Sequence, residues 1–154
     1  MAKSLLREAL RPECVRTHLG ALDKESCIRE LVGILRVAGL LRDPAEAERV
    51  VLARERLMST GLEHGIAIPH GKTDTVDRLL VALGLKPEGI DFGCVDGQPA
   101  RILILTLSPA SRSGPHIRFM AEVSGLLRSA SLRAAVLAAP TPSEVVRLLT
   151  AGEV

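Results

Sequence analysis

The chain has no tryptophan and no tyrosine, and only two phenylalanines, Phe92 and Phe119, among its 154 residues. Proteins that read single-stranded nucleic acid stack bases on aromatic faces, and that platform is missing. An excess of one charge is missing too. Charged side chains make up 25% of the residues and leave a net charge of +2, too little for the electrostatic footprint of a nucleic-acid binder. Long apolar runs are absent: Leu79–Leu85 and Ile102–Leu107 fall far short of the ~20 residues of a membrane-crossing helix, so no direct membrane insertion is expected. The opening MAKSLLREALRPE brings in Arg7 and Glu8 too early for the apolar core of a secretory signal. Cysteine is scarce. Cys14, Cys27 and Cys94 are odd in number, widely spaced and without a CxxC pair, which excludes a disulfide framework and a cysteine zinc site. They read as reduced, buried small hydrophobes of a cytoplasmic protein.

What is present is a chain with 47% apolar residues, enough for one core and one domain over 1–154. Strand and helix signals alternate, which predicts an α/β fold. CVRTHL (14–19) suits a short first strand. A helix follows Asp23 as N-cap, with Cys27, Ile28, Leu31, Ile34 and Leu35 as its apolar stripe and Gly39 as its stop. The next starts at Asp43-Pro44 with Glu46 three residues after the cap and runs to Met58. Ile66–Ile68, Arg78–Leu85 and Arg101–Leu107 read as strands, the latter two as central ones covered on both faces. Asp96-Gly97 between them predicts an edge hairpin. Three helices close the chain. They start at Pro115 after Ser113-Gly114, behind Ser131 as cap, and at Thr141-Pro142 with Glu144.

The stretch GIAIPHGKTD (65–74) sets an apolar run against a proline and then offers a histidine. Pro69 lacks a backbone donor and is expected to end the strand Ile66–Ile68. Gly71 lets the chain turn and leaves the His70 imidazole unobstructed. Strand ends of α/β sheets are where such proteins place their sites. His116 falls at the second position of a predicted helix, where free N–H groups and the positive dipole end favour an anion and hold an imidazole neutral. His18 and His64 read as surface histidines. His64 and His70 match no standard zinc spacing, so no metal is expected. A neutral imidazole is a nucleophile, and an ordinary pKa near ~6.5 keeps much of it neutral. Two such rings beside an anion-friendly helix start suit phosphoryl transfer, which depends on positioning and on stabilising oxygen charge. No Walker or kinase loop is present, so neither ATP nor any other cofactor is expected.

The segment RERLMSTGLEHGIAIPHGKTD (54–74) resembles the signature of the IIA domains of the bacterial phosphoenolpyruvate-dependent sugar phosphotransferase system. The subclass is the mannitol/fructose type (type 2), which includes the nitrogen-regulatory IIA proteins. The match lies in Arg54-Glu55, Ser59-Thr60-Gly61, Gly65 and Ala67-Ile68-Pro69-His70. GIDFGCVDGQPARILILTLSP (89–109) and the helices from His116 onward extend it over about residues 8 to 150. The resemblance implies a three-layer α/β/α sandwich on a mixed β-sheet. It implies that His70 is the phosphoryl acceptor, that His116 helps hold the phosphoryl group, that Arg54 is the site arginine, and that Ser59 and Thr60 support the phosphate pocket. It further implies phospho-HPr as donor and a IIB domain or a regulatory target as recipient. Glu63-His64 departs from the small or uncharged residues usual there, which bears on partner choice. No IIB, HPr or membrane IIC segment is present, so partners are expected in trans. Three functions compete: a phosphocarrier for sugar uptake, a nitrogen-type regulatory module, and an anion- or metal-binding protein outside this system. The last fits the histidines but not the long motif.

Overall fold

A computed structural model describes residues 4–151. The expected domain over 1–154 and the reading of the N-terminus as lacking a leader both include residues outside that range. The elements are α1 (Leu5–Ala9), β1 (Val15–Arg16), α2 (Lys24–Val37), α3 (Pro44–Leu57), β2 (Ile66–Ala67), β3 (His70–Lys72), β4 (Leu80–Ile90), β5 (Ala100–Ser108), α4 (Gly114–Leu126), α5 (Ala130–Ala138) and α6 (Pro142–Thr150). Helices cover both faces of a mixed sheet, the three-layer arrangement expected.

The sheet runs β1-β4-β5-β2, with β3 also on β5. β4 and β5 are antiparallel, whereas β1 lies parallel to β4, and β2 and β3 parallel to β5. The β4–β5 hairpin is therefore the centre of the sheet and not its edge, contrary to the expectation from Asp96-Gly97. Its two long apolar strands need cover on both faces, and only the middle of the sheet supplies it. Alternate residues of β5 feed two cores. Leu103, Leu105 and Leu107 pack with α2 and α3; Ile102 and Ile104 pack with Phe119 and Val123 of α4 and Val145 and Leu149 of α6.

Local chemistry fixes the helix ends. Asp23 and Ser26 form a reciprocal capping box at α2, which closes at Gly39 (φ 76°) with Gly39 N–H on the Arg36 carbonyl and Leu40 N–H on that of Leu35. That pattern needs a left-handed residue, and glycine takes it without strain. Asp43 and Thr141 cap α3 and α6 as expected. The cap of α5 is Ser129, which accepts from Leu132 N–H, and not Ser131.

Three further differences bear on the site. Residues 14–19 form only the two-residue β1, because Pro12–Cys14 make a 3-10 turn. Leu5–Ala9 form a further helix that was not expected, capped by Ser4, whose hydroxyl accepts Arg7 N–H at 3.0 Å. Pro69 does not end the strand for good: the chain pairs with β5 through β2, skips Ile68-Pro69, and pairs again from His70 to Lys72. The three cysteines are free and buried, and burial pushes the Cys27 thiol up to about 12. Among the described residues no helix is long and apolar enough to cross a membrane.

Candidate functional site

β3, the end of α3 and the first turn of α4 converge on His70. The interruption before β3 is well satisfied. Ile68 N–H donates to the Thr60 carbonyl at 3.1 Å, and the Pro69 carbonyl accepts Thr106 N–H at 3.1 Å. Proline brings no amide that would need a partner. His70 pairs in register with Thr106 of β5, so the strand, not a turn, sets its direction. Gly71 then allows α3 to close on β3: a Cβ there would lie 2.7 Å from Val50 Cγ2 and 3.1 Å from Val51 N. Arg54 follows Val50 by one helical turn on the same side and so arrives beside His70.

Nδ1 of His70 lies 2.9 Å from the Ile68 carbonyl oxygen. A carbonyl can only accept, so Nδ1 carries the proton and Nε2 keeps the lone pair. Burial lowers the His70 pKa. The Ile68 bond opposes that, Arg54 and Lys72 add to it, and Glu55 works against it. The ring is neutral at physiological pH and nucleophilic at Nε2.

His116 is the third residue of α4, one later than expected, because the helix begins at Gly114. Its ring centroid is 4.7 Å from that of His70, with the planes tilted by 43°. It is 8% exposed, and its Nδ1 is buried without a hydrogen-bond partner among the described residues. Burial foremost, then His70, Lys72 and Arg54, lower its pKa to about 4. The helix cap Ser113 makes no side-chain capping bond, which leaves the start of α4 open to an anion.

A cavity of about 460 Å³ is lined by His70, His116, Arg54, Lys72, Arg49 and Gly71. Arg54 Nη1 donates to the Met58 carbonyl at 2.8 Å, which ties the guanidinium to the last turn of α3 and leaves its other donors for the cavity. Lys72 was not singled out in the sequence. Two positions after His70 on β3, it shares that residue's side of the sheet, a relation that the sequence could not show because only the pairing with β5 makes these residues a strand.

Ser59 and Thr60 do not line the cavity; they brace it from behind. The Ser59 hydroxyl donates to the Phe92 carbonyl and accepts Gly61 N–H at 3.0 Å. Thr60 donates its N–H to Glu55 at 2.9 Å and its hydroxyl to the same carboxylate. Glu55 is 6% exposed and is neutralised by Lys24 Nζ at 2.9 Å. An unbroken set of contacts thus runs from Lys24 through Glu55 and Thr60 to Ile68 and on to His70. Glu55 was quoted in the sequence motif without a role. His64, at φ 65°, gives its N–H to Asp96 at 3.0 Å and does not line the His70 cavity. His18 is exposed.

A neutral nucleophilic nitrogen, a second neutral imidazole and nearby guanidinium and ammonium groups suit an anionic electrophile such as a phosphoryl group. Residues 8–152 match the family described as "Phosphoenolpyruvate-dependent sugar phosphotransferase system, EIIA 2". The fructose-specific EIIABC component of Bacillus subtilis is 30% identical over 144 residues, which are 94% of this chain but 23% of that protein. The fructose-specific EIIA component of Haloferax volcanii is 35% identical over 126 residues, 82% of each chain. The nitrogen regulatory protein of Escherichia coli is 30% identical over 147 residues, covering 94% of this chain and 89% of the other. Among solved structures, the nitrogen regulatory protein IIA-Ntr of Neisseria meningitidis superposes with a TM-score of 0.87 at 28% identity, covering 96% of this chain and 100% of that one. Enzyme IIAMtl of Escherichia coli, in its complex with phosphorylated IIBMtl, gives 0.79 at 28% identity, covering 92% and 97%. The chain belongs to the EIIA 2 family.

Proposed function

We propose that this EIIA 2 phosphotransfer component is a histidine phosphocarrier. The Nε2 lone pair of His70 attacks phosphorus on the phosphohistidine of HPr. The new N–P bond forms as the donor's N–P bond breaks, and the donor imidazole leaves with that bond's electron pair. The reverse chemistry then hands the phosphoryl group to a IIB protein, for sugar uptake. Arg54 and His116 stabilise the three phosphoryl oxygens while the group is in flight. The observation that carries this reading is the Nδ1–H donated to Ile68, which leaves Nε2 as the free nucleophile inside a cavity held by Arg54 and His116. Exposed Leu57 and Met58, three and four residues after Arg54, and exposed Ile117, next to His116, supply apolar surface of the kind partner proteins cover. The structural likeness to IIAMtl in complex with phosphorylated IIBMtl supports a IIB partner. The domain acts as a single cytoplasmic unit over 1–154.

A second reading is the regulatory one, in which the phosphorylation state of His70 selects a target protein and no sugar moves. The extent of the match to nitrogen regulatory proteins, along nearly the full length of both chains, favours it. Incubation with phosphoenolpyruvate, the general phosphotransferase and HPr should add one acid-labile phosphoryl group to the wild-type protein and none to His70→Ala. Equal labelling of the two proteins overturns both readings. Passage of the label to an added fructose- or mannitol-type IIB protein supports the carrier. Retention of the label, with a target bound in only one phosphorylation state, supports the regulator.

A further inference from the structure

Beside the first turns of α4, sharing no lining residue with the His70 cavity, lies a second cavity of about 440 Å³, within the range of small-molecule sites. Its floor is apolar, made by residues such as Leu5, Leu40, Leu80 and Val81. Its rim carries four arginines, Arg11, Arg78, Arg112 and Arg118, against two carboxylates, Glu8 and Glu13. These groups do not neutralise one another. Of the four guanidiniums, Arg78 alone has a carboxylate within 4 Å among the described residues, and that is Asp77, at 3.8 Å, outside the cavity. Arg112 gives one nitrogen to the Asp77 carbonyl at 2.8 Å, which steadies it without cancelling its charge. Arg11 and Arg118 make no side-chain hydrogen bond or ion pair among the described residues.

Four like charges around one concavity repel each other, and a cleft with low-dielectric walls concentrates their field. An anion in the cleft relieves that repulsion. Guanidinium forks fit the paired oxygens of carboxylates and phosphates. No aromatic residue lines the cleft, so a nucleobase finds no ring to stack on, while the aliphatic floor suits a short carbon skeleton. We propose that this cleft binds a small aliphatic anion carrying two or more negative charges as carboxylate or phosphate groups. The inference is independent of what His70 does, because the site uses none of the His70 cavity residues.

The test is calorimetric titration of the unphosphorylated protein with succinate, and separately with glycerol 3-phosphate. Sodium chloride at matched ionic strength is the control. Saturable one-site binding of either probe is expected, at least tenfold weaker in Arg11→Gln and in Arg118→Gln. Preference between the two probes tells a carboxylate source from a phosphate one. Both arginines are exposed, so the variants should fold, and unchanged labelling of His70 by phospho-HPr in each would show it. If labelling fails in the wild type as well, unchanged thermal melting serves instead, so a wrong reading of His70 leaves this test intact. The site is overturned by no saturable heat with either probe or by binding that both variants keep. It is equally overturned by binding that His116→Ala abolishes, or by an acidic peptide binding where neither small anion does.

Discussion

His70 and His116 lie side by side with ring centroids 4.7 Å apart, and His70, after burial, makes His116 harder to protonate. Folded His116 takes its proton only near pH 4, whereas in the unfolded chain it does so near ~6.5. In that window the unfolded state binds more protons than the folded one, so stability rises with pH. His116 should therefore make no acid-dependent loss above about pH 6.5, and its loss should accumulate as pH falls towards about 4. Denaturant midpoints measured across the window should decline less steeply in His116→Gln. Parallel slopes in the two proteins count against a buried neutral ring.

His116→Ala should still accept the phosphoryl group on His70, since the nucleophile and its Ile68 contact are untouched. Onward transfer should slow. Losing one donor to a developing oxygen charge costs ~3 kcal/mol, which is about a hundredfold in rate. Single-turnover transfer to a IIB acceptor measures it, and a wild-type rate would refute the role.

Arg54 and Arg56 are both in the last turns of α3, but only Arg54 lines the cavity; Arg56 lies 3.5 Å from exposed Glu25. Lysine cannot grip two phosphoryl oxygens as a guanidinium does. Arg54→Lys should melt like the wild type and exchange phosphoryl groups with HPr more slowly. Arg56→Lys should change neither property. Identical exchange rates for the two variants would reduce Arg54 to a surface charge.

Glu55→Leu strands Lys24 and the Thr60 amide; breaking a fully buried ion pair costs about 3–5 kcal/mol, and because the Lys24 side chain is partly exposed the loss should lie at or below the lower end of that range. Glu55→Gln keeps most of the shape and should lose less. Both should loosen the Ile68 carbonyl, through Thr60, and admit the other His70 tautomer. Nitrogen chemical shifts of the His70 ring report this directly. A destabilised Glu55→Gln protein whose His70 still holds its proton on Nδ1 alone would leave Glu55 with a role in stability only.

Gly71→Ala should push β3 away from α3, because the new methyl group meets Val50 and Val51. Overpacking of this kind costs about 1–3 kcal/mol, and His70 and Arg54 should separate with it. Lower melting together with slower labelling is expected. Wild-type values for both would show that the gap closes without strain.

The sequence revealed those parts of the fold that local chemistry dictates. Asp23, Asp43-Pro44-Glu46 and Thr141-Pro142-Glu144 cap helices where they stand. Ser129 was missed because two serines flank one alanine and only the folded helix shows which accepts Leu132 N–H. α1 was missed because Glu122, on α4, accepts the N–H groups of Leu5 and Leu6 and holds the Ser4 hydroxyl. The Ser4 cap, which accepts Arg7 N–H, was the one local signal, and a five-residue helix is too short to be stable without such tertiary contacts. β3 is His-Gly-Lys, a tripeptide with no strand signal of its own; β5 makes it a strand. His70, His116 and Arg54 were legible from motif and helix position, and the structure brings all three to one cavity. Lys24 and Glu55 lie 31 residues apart, and their pairing emerges only when α2 and α3 pack.

For the proposed phosphocarrier, the Ile68 carbonyl has a further consequence in the state with a phosphoryl group on Nε2 of His70. That nitrogen has then spent its lone pair, and the proton held at Nδ1 makes the ring an imidazolium. On departure of the phosphoryl group such a ring leaves as neutral imidazole, without a proton having to be fetched from water. A carbonyl that can only accept keeps that proton in place throughout. In the proposed phosphocarrier role, one backbone oxygen thus sets both the nitrogen that captures the group and the ease with which it is released, so the transfer potential is tuned from a main-chain group that Thr60 and Glu55 hold in place.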